Sequence, residues 1–195
     1  DLQEPANDHE QQVDWDRLRT ILVNMTHEFA APMVFKSFLV GWHIQRLQRL
    51  LPLTRFLRVH RDPLESAVSL CGMRRQLGEP AATWTSLKPR EYSWLKDEPL
   101  TRQLAGQVYF LDQRLTKQLS GIPTENVLEI SYTELCADPA QVLEQVQELL
   151  AGSGVPVARV GQPPTSFPYS TGPEVPELDR DVLRQEMDRF YREAA

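Results

Sequence analysis

The sequence is short of cysteine, of positive charge and, near its start, of glycine. Its 195 residues include two cysteines, Cys71 and Cys136, and neither belongs to a Cys-x-x-Cys pair. This argues against a disulfide scaffold and against the common zinc motifs, and it predicts two reduced, packed thiols and no metal site. The formal net charge is −6. We expect no nucleic-acid partner, because a broad nucleic-acid surface needs a basic patch. An anionic ligand would need a few cations placed locally.

Long hydrophobic runs are absent as well. No stretch approaches the about 20 apolar residues of a membrane-spanning helix, and residues 1–13 are polar and acidic, unlike a secretory signal. We therefore expect no membrane segment and a cytoplasmic location. Apolar residues make up 41% of the chain and charged residues 25%, which is typical of globular domains.

The spacing of apolar residues predicts helices and strands that alternate along the chain. This alternation favours an α/β fold with parallel strands. Three strands are few for such a sheet, so we expect the sheet to be incomplete. The predicted organisation is a single domain with a flexible arm at 1–13, an α/β core at 14–152, a loop at 153–177 and a helix at 178–195. Within it, helices are expected at about 14–28, 41–51, 63–76, 100–119, 139–151 and 178–195, and strands at 33–35, 55–60 and 126–130.

Two Asp-Pro pairs, at 62–63 and 138–139, mark helix starts. Asp is a favoured N-cap, and Pro suits the first helical position because its missing N–H has no partner there anyway. The first pair follows a predicted strand directly.

Arg61, at the end of that strand, is the first candidate for binding. Ligands of open α/β sheets bind beyond the carboxyl ends of the strands, near helix N-termini. A guanidinium suits phosphate oxygens, and Ser69 adds a hydroxyl two helical turns later. The pair could hold a phosphate. The alternative is that Arg61 pairs with Asp62 or Glu65 on the surface and Ser69 is an ordinary helix hydroxyl.

Two segments resemble the sulfotransferase superfamily. FLRVHRDPLESAVS is similar to its 3′-phosphate-binding strand–turn–helix, and ENVLEISYTELCADPAQ resembles a later block of the family. The resemblance covers roughly residues 32–152. It implies a three-layer fold like that of P-loop NTPases, with a parallel sheet flanked by helices. It also implies sulfuryl transfer from 3′-phosphoadenosine 5′-phosphosulfate (PAPS) to a hydroxyl or amine of a small molecule or glycan, without a metal.

By the same resemblance, Lys36 in PMVFKS would act on the sulfuryl group or its bridging oxygen. Many family members place a histidine two residues after this lysine as general base, whereas this chain has Phe38. The candidates for the base are His43, Glu28 or a carboxylate outside this chain.

The phosphosulfate-binding loop of the family has no counterpart before residue 32, and residues 1–31 contain no glycine. We therefore expect a fragment, a truncated product or a loop supplied elsewhere. Ser170, Thr171 and Gly172, in a late loop, are candidates for contacts with the donor. The adenine could stack on Tyr92, Trp94 or Tyr109, although core packing is the simpler role for these rings. Two alternatives to catalysis stay open, a nucleotide-binding remnant and an interaction protein, and so does an oligomer.

Overall fold

The computed structural model describes residues 4, 13–77, 83–152, 154, 157–158 and 160–193. Short 3₁₀ helices lie at Leu39–Trp42 and Thr124–Asn126. The elements, in chain order, are α1 (Trp15–Phe29), α2 (Ile44–Leu50), β1 (Phe56–His60), α3 (Pro63–Gln76), α4 (Tyr92–Leu95), α5 (Leu100–Leu119), β2 (Val127–Ser131), α6 (Tyr132–Ala137), α7 (Pro139–Ala151) and α8 (Arg180–Glu193).

Strands β1 and β2 form a parallel pair, in register from Phe56 opposite Val127 to His60 opposite Ser131. Parallel strands end at the same edge of a sheet, so Arg61 and Tyr132 leave the pair side by side. The α/β fold and the incomplete sheet are confirmed.

The predicted strand at 33–35 is wrong. Residues 32–37 have no regular structure, and Val34 and Phe35 are 90% and 57% exposed. A strand needs a neighbouring strand for its backbone hydrogen bonds, and a run of three apolar residues carries no information about such a neighbour. Within the described part of the chain, the sheet has two strands.

Both predicted Asp-Pro helix starts are confirmed. The Asp62 carboxylate accepts a hydrogen bond from the Glu65 N–H at 3.0 Å and caps α3. Asp138 caps α7 in the same way, with the Gln141 N–H at 3.0 Å. These caps fix where each helix leaves the preceding segment.

Helix α3 rests on a core that it forms with α5 and α8. Val68 is 1% exposed, and Cys71, Leu104 and Leu183 are fully buried. Cys71 is a free thiol, as is the buried Cys136, and burial raises the pKa of Cys71. The core fixes α3 and, with it, the position of Ser69 on the helix.

Charged side chains of the described residues are also buried, among them Arg74 and Glu4. Arg74, in the last turn of α3, donates to the amide oxygens of Gln103 and Gln107 at 3.1 and 2.9 Å. Its burial lowers the guanidinium pKa to about 10.

Glu4 lies within the predicted flexible arm, yet it is 5% exposed. Its carboxylate contacts Arg90 and Arg114 at 3.1 and 2.9 Å, and its N–H donates to the Lys88 carbonyl. The rest of 1–12 lies outside the described residues.

None of the helices described is both long and apolar enough to cross a bilayer. Within the described ranges, no group of three or more histidine, cysteine, aspartate or glutamate side chains is arranged to hold a metal ion.

Candidate functional site

Arg61 lies directly after β1, at the carboxyl edge of the strand pair, and its side chain is 20% exposed. Its Nε is 3.3 Å from Oε2 of Glu65, one helical turn into α3. Its Nη2 donates to the backbone carbonyl of Ser170. The guanidinium therefore has a carboxylate and a carbonyl as partners in this structure.

Tyr169, which follows Glu65 by 104 residues, joins Arg61 and Glu65 in one hydrogen-bonded group, here called the Arg61 group. Its hydroxyl donates to Glu65 Oε2 at 2.6 Å, so one carboxylate oxygen accepts from both Arg61 and Tyr169. The hydrogen bond to Glu65 raises the pKa of the Tyr169 phenol, because the carboxylate stabilises the protonated form.

Tyr132, the first residue of α6, places its ring against Arg61 and Tyr169. Its ring centre is 5.0 Å from the Arg61 guanidinium carbon and 5.3 Å from the Tyr169 ring centre. A guanidinium over an aromatic face is electrostatically favoured. A hydrogen bond with the Cys136 thiol raises the pKa of Tyr132.

Residues 167–173, here called the strap, lie along α3, with contacts from Glu65 to Gly72. The strap is fixed at one end by the Phe167 N–H, which donates to the Cys136 carbonyl at 2.8 Å. At the other end, Pro173 covers Gly72, and a Cβ on Gly72 would lie 2.1 Å from the proline ring.

Gly172 is the point of closest approach between the strap and Ser69. It has a positive φ of 91°, a conformation that glycine adopts readily and other residues avoid. A Cβ at this position would lie 3.3 Å from the Ser69 nitrogen and 3.2 Å from Val68. Glycine is thus required by both the backbone angle and the space.

Five of the predicted site residues therefore come together. Arg61 contacts Ser170, Gly172 lies on Ser69, and Thr171 connects the two contacts. Ser170, Thr171 and Gly172 were candidates for donating hydrogen bonds to a phosphate of PAPS. In this structure the Ser170 hydroxyl instead accepts from the Gly172 N–H at 3.3 Å, and the Ser170 carbonyl faces Arg61. A role for these five residues in binding a donor stays a prediction.

Lys36 and His43 lie elsewhere. The Lys36 amine is 5.4 Å from the ring centre of Phe38 in the exposed segment before the first 3₁₀ helix. His43 packs edge-on against Trp15, with ring centres 5.2 Å apart. Glu28, the other base candidate, is exposed near the end of α1. No contact that the structure describes joins Lys36 to Arg61 or Ser69.

Of the three rings considered for adenine, Tyr109 is 7% exposed and stacks on Phe190 within the core. Trp94 packs against Phe110, and Tyr92 packs against Trp84. Packing with other aromatic side chains thus accounts for all three.

Sequence reasoning missed Tyr132 and Tyr169 as members of this group. Glu65 was considered only as a surface partner of Arg61, and that pairing is present. The i,i+4 spacing of Arg61 and Glu65 was the available signal. Tyr169 gave none, because 104 residues separate it from Glu65.

Comparison with known families adds the decisive observation. A model described as the sulfotransferase family matches residues 2–156. The chain belongs to the sulfotransferase family. The matched region includes β1, β2 and α3, but it ends before the strap. No curated protein and no solved structure matches the chain significantly.

Proposed function

We propose that this sulfotransferase binds the 3′-phosphate of PAPS between Arg61 and Ser69 and transfers the sulfuryl group to a hydroxyl or amine of a small molecule or glycan. Family membership supports sulfuryl transfer in general. The specific donor and site rest on one observation. Arg61 stands at the carboxyl edge of two parallel strands, at the start of α3, and the strap that contacts it also covers Ser69.

The electrostatics of this position favour an anion. Arg61 offers paired N–H donors with the geometry that phosphate oxygens accept. The N-terminus of the 14-residue α3 adds the positive end of the helix dipole. Both favourable contributions are local, so they are compatible with a net charge of −6.

In the transfer itself, the acceptor oxygen or nitrogen attacks sulfur, and the bond from sulfur to the bridging phosphate oxygen breaks. The acceptor proton goes to a base, and negative charge develops on the leaving phosphate. Lys36 is the proposed cation for that charge, and His43 is the proposed base. The Lys36 amine lies against the Phe38 ring in this structure, and none of the described contacts joins it to Arg61 or Ser69.

A second candidate is a module that binds a nucleotide without transferring sulfate. The contacts described for Lys36 and His43, with Phe38 and Trp15, favour it, because they do not join either residue to Arg61, and Arg61 and Ser69 can hold a phosphate without them. A cytoplasmic location and the absence of a nucleic-acid partner stay predictions.

The test is calorimetric titration with adenosine 3′,5′-bisphosphate, which carries the same 3′-phosphate. We expect Arg61→Ala to weaken binding by about 1.5–3 kcal/mol, the usual contribution of a charged hydrogen bond. Arg55→Ala is the matched control, since Arg55 precedes β1 at its opposite end and bonds only to the nearby carbonyls of Leu53 and Thr54 among the described residues. Equal affinity in wild type and Arg61→Ala would refute the anchor role.

A further inference from the structure

The strap covers the proposed anchor by contacts that leave little of Arg61 accessible. The Arg61 and Glu65 side chains are 20% and 22% exposed. Two surface depressions formed by described residues lie at the end of α1 and beside the start of β2, and Arg61 lines neither of them. A phosphate that binds through Nε and Nη2 of Arg61 has to displace the present partners of these two nitrogens.

The displaced group can be named from the hydrogen bonds. The Ser170 carbonyl occupies Nη2 of Arg61, and Glu65 Oε2 lies beside Nε. A phosphate bound in the bidentate manner through Nε and Nη2 competes for these N–H groups, and the Glu65 carboxylate repels it because both are anionic.

Tyr169 affects the free energy needed to displace the Ser170 carbonyl from Arg61. Its hydroxyl bonds to Glu65 at 2.6 Å and its ring lies on Tyr132. These contacts hold the residue immediately before Ser170, whereas Thr171 is exposed. Tyr169 is thus the side chain that holds the centre of the strap to α3 and α6.

We propose that Tyr169 and Glu65 form a latch that keeps the strap across Arg61 in the ligand-free protein, so that an anionic ligand must displace the Ser170 carbonyl before it binds. This inference rests on the proposed phosphate site and adds its regulation. The latch lowers the apparent affinity by the fraction of molecules in which the strap is open.

The first measurement needs no ligand. Hydrogen–deuterium exchange of a peptide covering 167–174 is compared in wild type and Tyr169→Phe, which keeps the ring and removes the hydroxyl. We expect at least a several-fold faster exchange in the variant. Tyr191→Phe, which removes a phenol hydroxyl from α8, is the control and should leave the peptide unchanged. Equal exchange in wild type and Tyr169→Phe would overturn the latch whether or not a nucleotide binds.

The second measurement is titration with adenosine 3′,5′-bisphosphate. Tyr169→Phe should lower the Kd about 3- to 10-fold, in proportion to the larger open fraction. Glu65→Gln should also tighten binding, because it removes the negative charge beside Arg61 and keeps an acceptor for Tyr169. Glu125→Gln makes the same change ahead of β2, at the other end of the strand pair, and should have no effect.

The outcomes separate the two proposals. If Tyr169→Phe exchanges faster but binds the nucleotide no better, the strap is held by the latch but does not oppose binding, and the inhibitory role is wrong. If wild type binds no nucleotide, the proposed function fails, while the exchange experiment still decides the latch.

Discussion

The region around β1 and α3 and the segment at 32–43 gave similar signals in the sequence but have different structures. In the first region, strand pairing, an aspartate cap and a buried helix face fix Arg61 and Ser69. In the second, Val34 and Phe38 are 90% and 66% exposed, and no side-chain hydrogen bond caps α2. A sequence resemblance therefore indicates geometry reliably only where independent contacts also hold the backbone.

The largest expected effect comes from making the same substitution, valine to alanine, in both regions. Val68→Ala removes a side chain that is 1% exposed, and Val34→Ala removes one that is 90% exposed. We expect Val68→Ala to lower the free energy of unfolding by about 2 kcal/mol through the cavity it leaves. Val34→Ala should stay within about 0.5 kcal/mol. Urea denaturation measures both, and a comparable loss in the two variants would show that 32–37 is packed as tightly as α3.

A smaller effect is expected at the helix cap. Asp62→Ala removes the acceptor for the Glu65 N–H and should cost about 1 kcal/mol of unfolding free energy. Asp62→Asn retains a good cap and should be nearly neutral. If thermal unfolding shows both variants equally destabilised, then the charge of Asp62, and not its capping bond, stabilises the start of α3.

The smallest expected effect concerns nucleotide binding, which compares Lys36 in the second region with Arg61 in the first. Lys36→Ala should leave the Kd for adenosine 3′-monophosphate, which lacks the 5′-phosphate that Lys36 is proposed to contact, within about 2-fold, because an exposed charge without contact to the anchor is screened by salt. Calorimetry beside Arg61→Ala gives the contrast. A loss for Lys36→Ala as large as that for Arg61→Ala would mean that the lysine reaches the nucleotide phosphate, and that the two regions join when it binds.

The elements that could be predicted are those determined by neighbouring residues. Helix α5 follows from its apolar face, and the starts of α3 and α7 follow from their Asp-Pro pairs, because capping and periodicity act over a few residues. The resemblance to sulfotransferases also depended on two such local blocks.

What could not be predicted depends on long-range contacts. The bond from Arg61 to the Ser170 carbonyl joins residues 109 positions apart, and nothing in either segment specifies the other. The error at 33–35 has the same origin, since whether an apolar run becomes a strand depends on a partner elsewhere in the chain. The predicted set of Arg61, Ser69 and 170–172 came together, with the Ser170 carbonyl facing Arg61. The role of this set in binding a phosphate stays a prediction.

Glu4 has a practical consequence for anyone who shortens the chain before crystallisation. A version that starts at α1 would lack the carboxylate that contacts both Arg90 and Arg114. The guanidinium groups of α5 and of the loop before α4 would then lose the carboxylate that they share. Trimming at the N-terminus is thus better placed ahead of residue 4 than after it.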